Sequence, residues 1–198
     1  MPSEELKKFE LLVRDSKADS LEKVIEKILE SDIYLVSTFL KYPNVIALGE
    51  KNKHFQTLKL FSHLSYLDYK KSKTNYIELN PKMLKKLKIL TIMEIAKFNK
   101  NIKYNYLKKM LDINDDFELE EILFETISSG LVIGSVDSMK ECVNVISIKP
   151  RNNLSDLTYA EQLIDKWINN IKQANEFIET QEKELNNKNN DIKKMLIN

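Results

Sequence analysis

Two histidines and a single cysteine are the side chains of this chain best suited to metal binding or nucleophilic chemistry, and their spacing supports neither. His54 and His63 stand nine residues apart, off the i, i+4 interval that would put both on one helical face, and no acidic or thiol cluster completes a ligand set. Cys142 has no histidine near it in sequence to draw off its proton, and Lys140 alone would lower its pKa only slightly. The three glycines, Gly49, Gly130 and Gly134, are too scattered to form a phosphate-cradling loop. The residues therefore argue for a protein that is not an enzyme and that carries no metal or cofactor.

Charge is the other chemistry available. Lysine and arginine total 31 against 30 aspartate and glutamate, so no global field attracts nucleic acid or an anionic membrane. Locally the signs separate. KMLKKLK at 82–88, with Lys97, Lys100, Lys103, Lys108 and Lys109, makes a basic stripe, whereas residues 110–139 contain no lysine or arginine and eight carboxylates. The stripe reads either as a solvated face balancing the acidic segment or as a docking patch for an acidic partner or RNA. A surface whose free face is Glu118, Glu121 and Glu125 forgoes phosphate neutralisation, the main source of non-specific affinity for DNA.

The elements that hold these residues are mostly helical. Leu6, Phe9, Leu12 and Val13 recur at helical spacing, and Asp19 is expected to cap a second helix through Glu22 three residues on. IYLVSTFLKYP (33–43) is an apolar segment that Pro43 should stop, and Phe55, Leu58, Phe61 and Leu64 mark another helix. Residues 1–79 thus read as a stack of short antiparallel helices. Asn80–Pro81 opens a new unit, 80–150, with three helices: one apolar over most of its circumference, a short one around Leu107, and one capped by Asp115. Gly130 stops the third helix, and LVIGSVDSMKECVNVISI (131–148) reads as a β-hairpin, which makes a winged helix. Apolar residues on both faces of the hairpin, Val132, Ile133, Val143, Val145, Ile146 and Ile148, predict that its edge pairs with a protein neighbour. On this reading Ile146→Lys or Val145→Pro should abolish lateral contact and leave the monomer folded.

From Thr158 a heptad stripe runs through Ala160, Ile164, Trp167, Ile171, Ala174, Ile178 and on to Met195, too long for one small domain to cover. Residues 151–198 therefore read as a long bundling helix with a polar tail. No run approaches the roughly 18 apolar residues of a membrane span, and with no signal-like N-terminus and one cysteine the expected compartment is cytoplasm and nucleus.

LKLFSHLSYLDY (58–69), KLKILTIMEIA (86–96), IKYNYLKKMLDINDDFELEEILFETISSGLVIGSVD (102–137) and KPR (149–151) resemble the PCI domain family, and within it the subunit 7 branch of the COP9 signalosome. Of the family's short element after the wing, this chain keeps Arg151. The resemblance implies a mainly α fold: N-terminal helical repeats, a winged-helix subdomain and a C-terminal helix. It also implies a non-catalytic scaffold in the complex that removes Nedd8 from cullins, with catalysis in another subunit. Its partners would be other signalosome subunits, a PCI neighbour at the wing and several at the C-terminal helix.

Overall fold

Asn80 and Pro81 begin the longest helix among the described residues of the computed structural model as their chemistry requires. The Asn80 side-chain oxygen accepts from the Met83 N–H at 2.8 Å, and Pro81 takes the first helical position, where its missing N–H costs nothing. The structure describes residues 4–149 and 151, then 164–165, 167–172 and 174–178; of Ala18 and Asp19 it describes the backbone alone. The chain divides into two compact units, Met1–Asn153 and Leu154–Asn198.

In the first unit, α1 (Glu4–Asp15), α2 (Ala18–Glu30), α3 (Pro43–Ala47), α4 (Lys53–His63) and α5 (Tyr66–Lys71) form the helical half. Two local expectations change. The second helix starts ahead of Asp19, and Ser20 closes its first turn, accepting from the Lys17 N–H and donating to the Lys17 carbonyl. The apolar segment before Pro43 winds as a 3-10 turn, Val36–Lys41, and Pro43 opens α3 instead of merely ending what precedes it.

The second half holds α6 (Pro81–Phe98), β1 (Asn101–Lys103), α7 (Tyr104–Leu111), α8 (Asp116–Ser128), β2 (Val132–Asp137) and β3 (Cys142–Ile148). Asp115 caps α8 by accepting from the Glu118 N–H. Gly130, at φ 66°, ends it: the Gly130 N–H donates to Ile127 O and the Leu131 N–H to Thr126 O, a left-handed stop that a Cβ would strain. The three strands make an antiparallel sheet in the order β1-β3-β2, one strand more than the expected hairpin. The most buried face of α6, around Leu87 and Leu90, joins Leu21 and Ile25 of α2, Leu58 and Phe61 of α4, and Leu119 and Leu123 of α8 in one core. That places α6 between both halves, which accounts for its apolar circumference.

Two buried cations from the second half close helices of the first. Arg151 is 5% exposed, and its guanidinium donates to the carbonyls of Leu60, Phe61 and Leu64 at 2.6 to 3.2 Å, the C-terminal carbonyls of α4. Burial pulls its pKa down to about 10, with Glu94 opposing, so it stays charged at neutral pH and complements the negative helix end. Lys86 likewise donates from Nζ to Ile28 O at 2.9 Å and Ser31 O at 2.8 Å, at the end of α2, and lies over the Tyr34 ring. A stripe of Met83, Lys86, Leu87 and Leu90 puts this lysine on the buried face of α6, not in the solvated stripe where the charge pattern had set it.

Burial brings the Lys86 pKa from 10.5 down to about 7, Asp32 and Glu5 raising it and Lys82 lowering it further. A neutral amine still offers two N–H donors, so both carbonyls remain satisfied after deprotonation. The unfolded chain holds this proton up to pH 10.5 and the folded chain only to about 7, so the contribution of Lys86 to stability is lowest below pH 7 and rises with pH between those values. The unfolding free energy from urea titration should climb over that window by at most about 1.4 kcal/mol per pH unit. Lys86→Met should remove this share of the slope; an unaltered slope would mean that Lys86 stays charged.

Candidate functional site

The wing is shaped by a bulge. Val132 pairs with Ile148 and Ile133 with Ser147, but Gly134 pairs with Val145, which leaves Ile146 as the extra residue. A Cβ on Gly134 would lie 2.2 Å from Asn144 O, so only glycine lets the strands approach there. On the other side of β3, Asn101, Ile102 and Lys103 pair with Asn144, Val143 and Cys142, and the Val145 N–H donates to Lys100 O at 2.7 Å. β3 is therefore the central strand, and the sheet's edges are β1 and β2.

The predicted wing residues divide accordingly. Val132, Val143 and Val145 are buried in the core beneath the sheet, Ile148 is half-buried, and Ile133 and Ile146 are 55% and 71% exposed beside the bulge. Val145→Pro would thus remove a hydrogen bond of the sheet itself and break the monomer; the exposed pair is the part of the set that a neighbour can touch. Ile164, Trp167, Ile171, Ala174 and Ile178 lie on helical residues and are all exposed, joined by Ile168 and Phe177, which the heptad reading had left out. Ala160 and the stripe beyond Ile178 fall outside the described residues.

Part of the basic stripe pairs with the acidic helix. Lys85 reaches Glu121 at 2.9 Å and Glu125 at 2.6 Å, Lys88 reaches Glu118 at 2.7 Å and Lys108 reaches Asp116 at 2.6 Å. With Lys86 buried, Lys85, Lys86 and Lys88 at the centre of the stripe are already engaged. The carboxylates once taken as the free face of α8 are turned towards those lysines, and the outward ridge carries Phe117 and Phe124 instead. Their i, i+7 spacing was visible in the sequence.

The side chains suited to catalysis are likewise occupied. His54 Nε2 lies 2.9 Å from Glu26 and Nδ1 3.7 Å from Glu22, tying α4 to α2. Cys142 is buried beside Asn101, whose amide donates to Sγ at 3.5 Å and to Asn144 Oδ1 at 2.6 Å. Among the described residues no group of histidine, cysteine and carboxylates could hold a metal ion, and no helix is long and apolar enough to cross a membrane. A cleft of about 680 Å³ lies among Leu6, Ile33, Tyr34, Met93, Glu125 and Leu131. Its phenol is no base: burial first, then Glu125 and Asp32, push the Tyr34 pKa up to about 12.

Residues 41–146 match the PCI domain family. The chain is 32% identical over 185 residues to COP9 signalosome complex subunit 7 of Drosophila melanogaster, covering 91% of this chain and 66% of that protein. It is 34% identical over 125 residues to the Arabidopsis thaliana subunit 7, covering 62% and 48%. Eukaryotic translation initiation factor 3 subunit M of Nematostella vectensis is 28% identical over 164 residues, covering 79% and 43%. The chain spans about half to two thirds of the length of the subunit 7 relatives it matches.

Proposed function

The chain belongs to the PCI domain family, and on that premise we propose that it is a non-catalytic scaffold subunit of the COP9 signalosome, in the position of subunit 7. The complex would remove Nedd8 from cullin-RING ubiquitin ligases with a catalytic centre in another subunit, in cytoplasm and nucleus. The observation that carries this reading is the extent of the Drosophila match: at 185 residues it takes in sequence on both sides of the PCI region, including the amphipathic C-terminal segment. The exposed edge of β2 supports a PCI neighbour that adds its own strand there, and the unburied Ile164, Trp167, Ile171 and Ile178 support entry into a bundle of subunit helices. A scaffold role in a translation initiation complex is the second reading, supported by the similarity to subunit M. A nucleic-acid role for Lys85, Lys86 and Lys88 loses support from the ion pairs of two of them and the burial of the third.

Ile133→Lys with Ile146→Lys changes two exposed side chains, so the melting curve should stay within a few degrees of the parent while the lateral neighbour is lost from the purified complex. Removing residues 158–198 should separately lower recovery of several subunits at once. Full recovery of every subunit with both variants would contradict these two contact surfaces.

A further inference from the structure

Winged-helix domains that read DNA send their third helix into the major groove; here the corresponding helix, α8, presents a different chemistry. Phe117 and Phe124 are 76% and 73% exposed, among the largest apolar side chains given to solvent on this unit. Seven residues apart, they stack two turns from each other along the outward face, about 10.5 Å by helix rise. Glu120 and Glu121 lie between them in sequence, one on each flank of the ridge. Hydrogen bonds from Ser138 and Tyr104 hold the Glu120 carboxyl below its ordinary range, so it is ionised at neutral pH. α8 carries five carboxylates, and three lysines of α6 and α7 meet them from behind, so the ridge retains negative charge. Beside it, between α6 and α8, a groove of about 340 Å³ is lined by Tyr66, Leu84 and Ile122, with the Lys85–Glu121 and Lys88–Glu118 ion pairs along its rim.

We propose that this ridge and groove dock an amphipathic helix of a partner protein whose apolar stripe is flanked by lysine or arginine. The two-turn spacing of the phenylalanines matches the i, i+7 repeat of a helix packed at a shallow angle, and Glu120, whose partners are the Tyr104 and Ser138 hydroxyls, with the excess of carboxylates over lysines on α8, selects basic neighbours for its stripe. A second copy of the same ridge would set carboxylates against carboxylates, which disfavours self-association through this face. The ridge is carried by α8 and not by the β2 edge, so the assignment does not rest on the proposed wing contact.

The test uses the full chain and two labelled peptides of about five turns, one with leucine at the stripe and lysine elsewhere, the other with glutamate in place of lysine. Anisotropy titrations should show the basic peptide binding at least about tenfold more tightly than the acidic one, with the preference shrinking as salt rises. Phe117→Ala with Phe124→Ala should weaken the basic peptide about tenfold, with an unaltered melting curve because both rings are exposed. Equal affinity for the two peptides, or unchanged binding by the double variant, would overturn the assignment. So would a dimer dissolved by the double variant, which would give the ridge to a second copy. Binding that emerges only on removing residues 158–198 would likewise overturn it, giving the ridge to the chain's own C-terminal segment.

Discussion

Gly134→Ala should cost this protein more than any other glycine substitution, about 3 kcal/mol or more, a fall of roughly 10 °C in the thermal midpoint. The added Cβ would lie 2.2 Å from Asn144 O, 3.2 Å from the Asn144 carbonyl carbon and 3.3 Å from the Val145 Cα. All three are backbone atoms of the central strand, so no rotamer change relieves the contact. Relief requires β2 to move away from β3, which breaks the pairing on both sides of the bulge. Gly49→Ala is the matched control: its φ of +75° makes any side chain strained, but nothing lies within 4 Å of the added atom. That variant should lose about 1 kcal/mol. Equal midpoints for the two would mean that the bulge relaxes freely and that Gly134 is not what shapes the wing.

Arg151→Met should be the next most damaging change, at about 3 kcal/mol. Methionine fills a similar path but leaves the carbonyls of Leu60, Phe61 and Leu64 without their charged donor at the end of α4. Each charge-assisted hydrogen bond contributes more than a neutral one, and the group is too buried for water to replace it fully. Arg151→Lys should recover part of the loss, because one ammonium cannot span carbonyls that the guanidinium meets from two nitrogens. Chemical denaturation of the three proteins checks the order: parent, then lysine, then methionine. Raising the salt should change the difference little, since the site is screened from bulk ions. A methionine variant as stable as the parent would show that α4 closes without this cap.

The two substitutions also mark what could and could not be read from residue order. Asn80–Pro81, Asp115 and Gly130 announce the ends of α6 and α8 because caps and stops are local, written in one to four residues. The wing followed from β-branched residues between two turns. β1 did not: Asn101–Lys103 is too short to show an alternation, and it is a strand because β3 offers it a partner. Lys86 was misplaced by its type, since a lysine among lysines looks solvated, although its position on the Met83, Leu87, Leu90 face indicated burial. Arg151 was singled out by family likeness alone. Its role depends on carbonyls some ninety residues earlier in the chain, which no local pattern announces.

The candidate surface shows the same division. Heptad spacing found the apolar stripe around Ile164 and Trp167, and six hydrophobic residues of the wing were identified, but which of them face outward depends on the bulge. Only after Gly134 pairs with Val145 does Ile146 become an extra, exposed residue next to Ile133. On α8, the buried stripe of Leu119, Ile122, Leu123 and Thr126 decides which face is outward. It sets Glu118, Glu121 and Glu125 beside the α6 lysines and leaves the phenylalanines in solvent.

The most direct test of the scaffold reading is quantitative mass spectrometry of what is recovered with the tagged full chain from its own cells at physiological salt. The account predicts the other COP9 signalosome subunits in near-equimolar amounts, surviving nuclease treatment. Recovery of translation initiation or proteasome lid subunits in their place, or of nucleic acid with no stoichiometric protein partner, would contradict it.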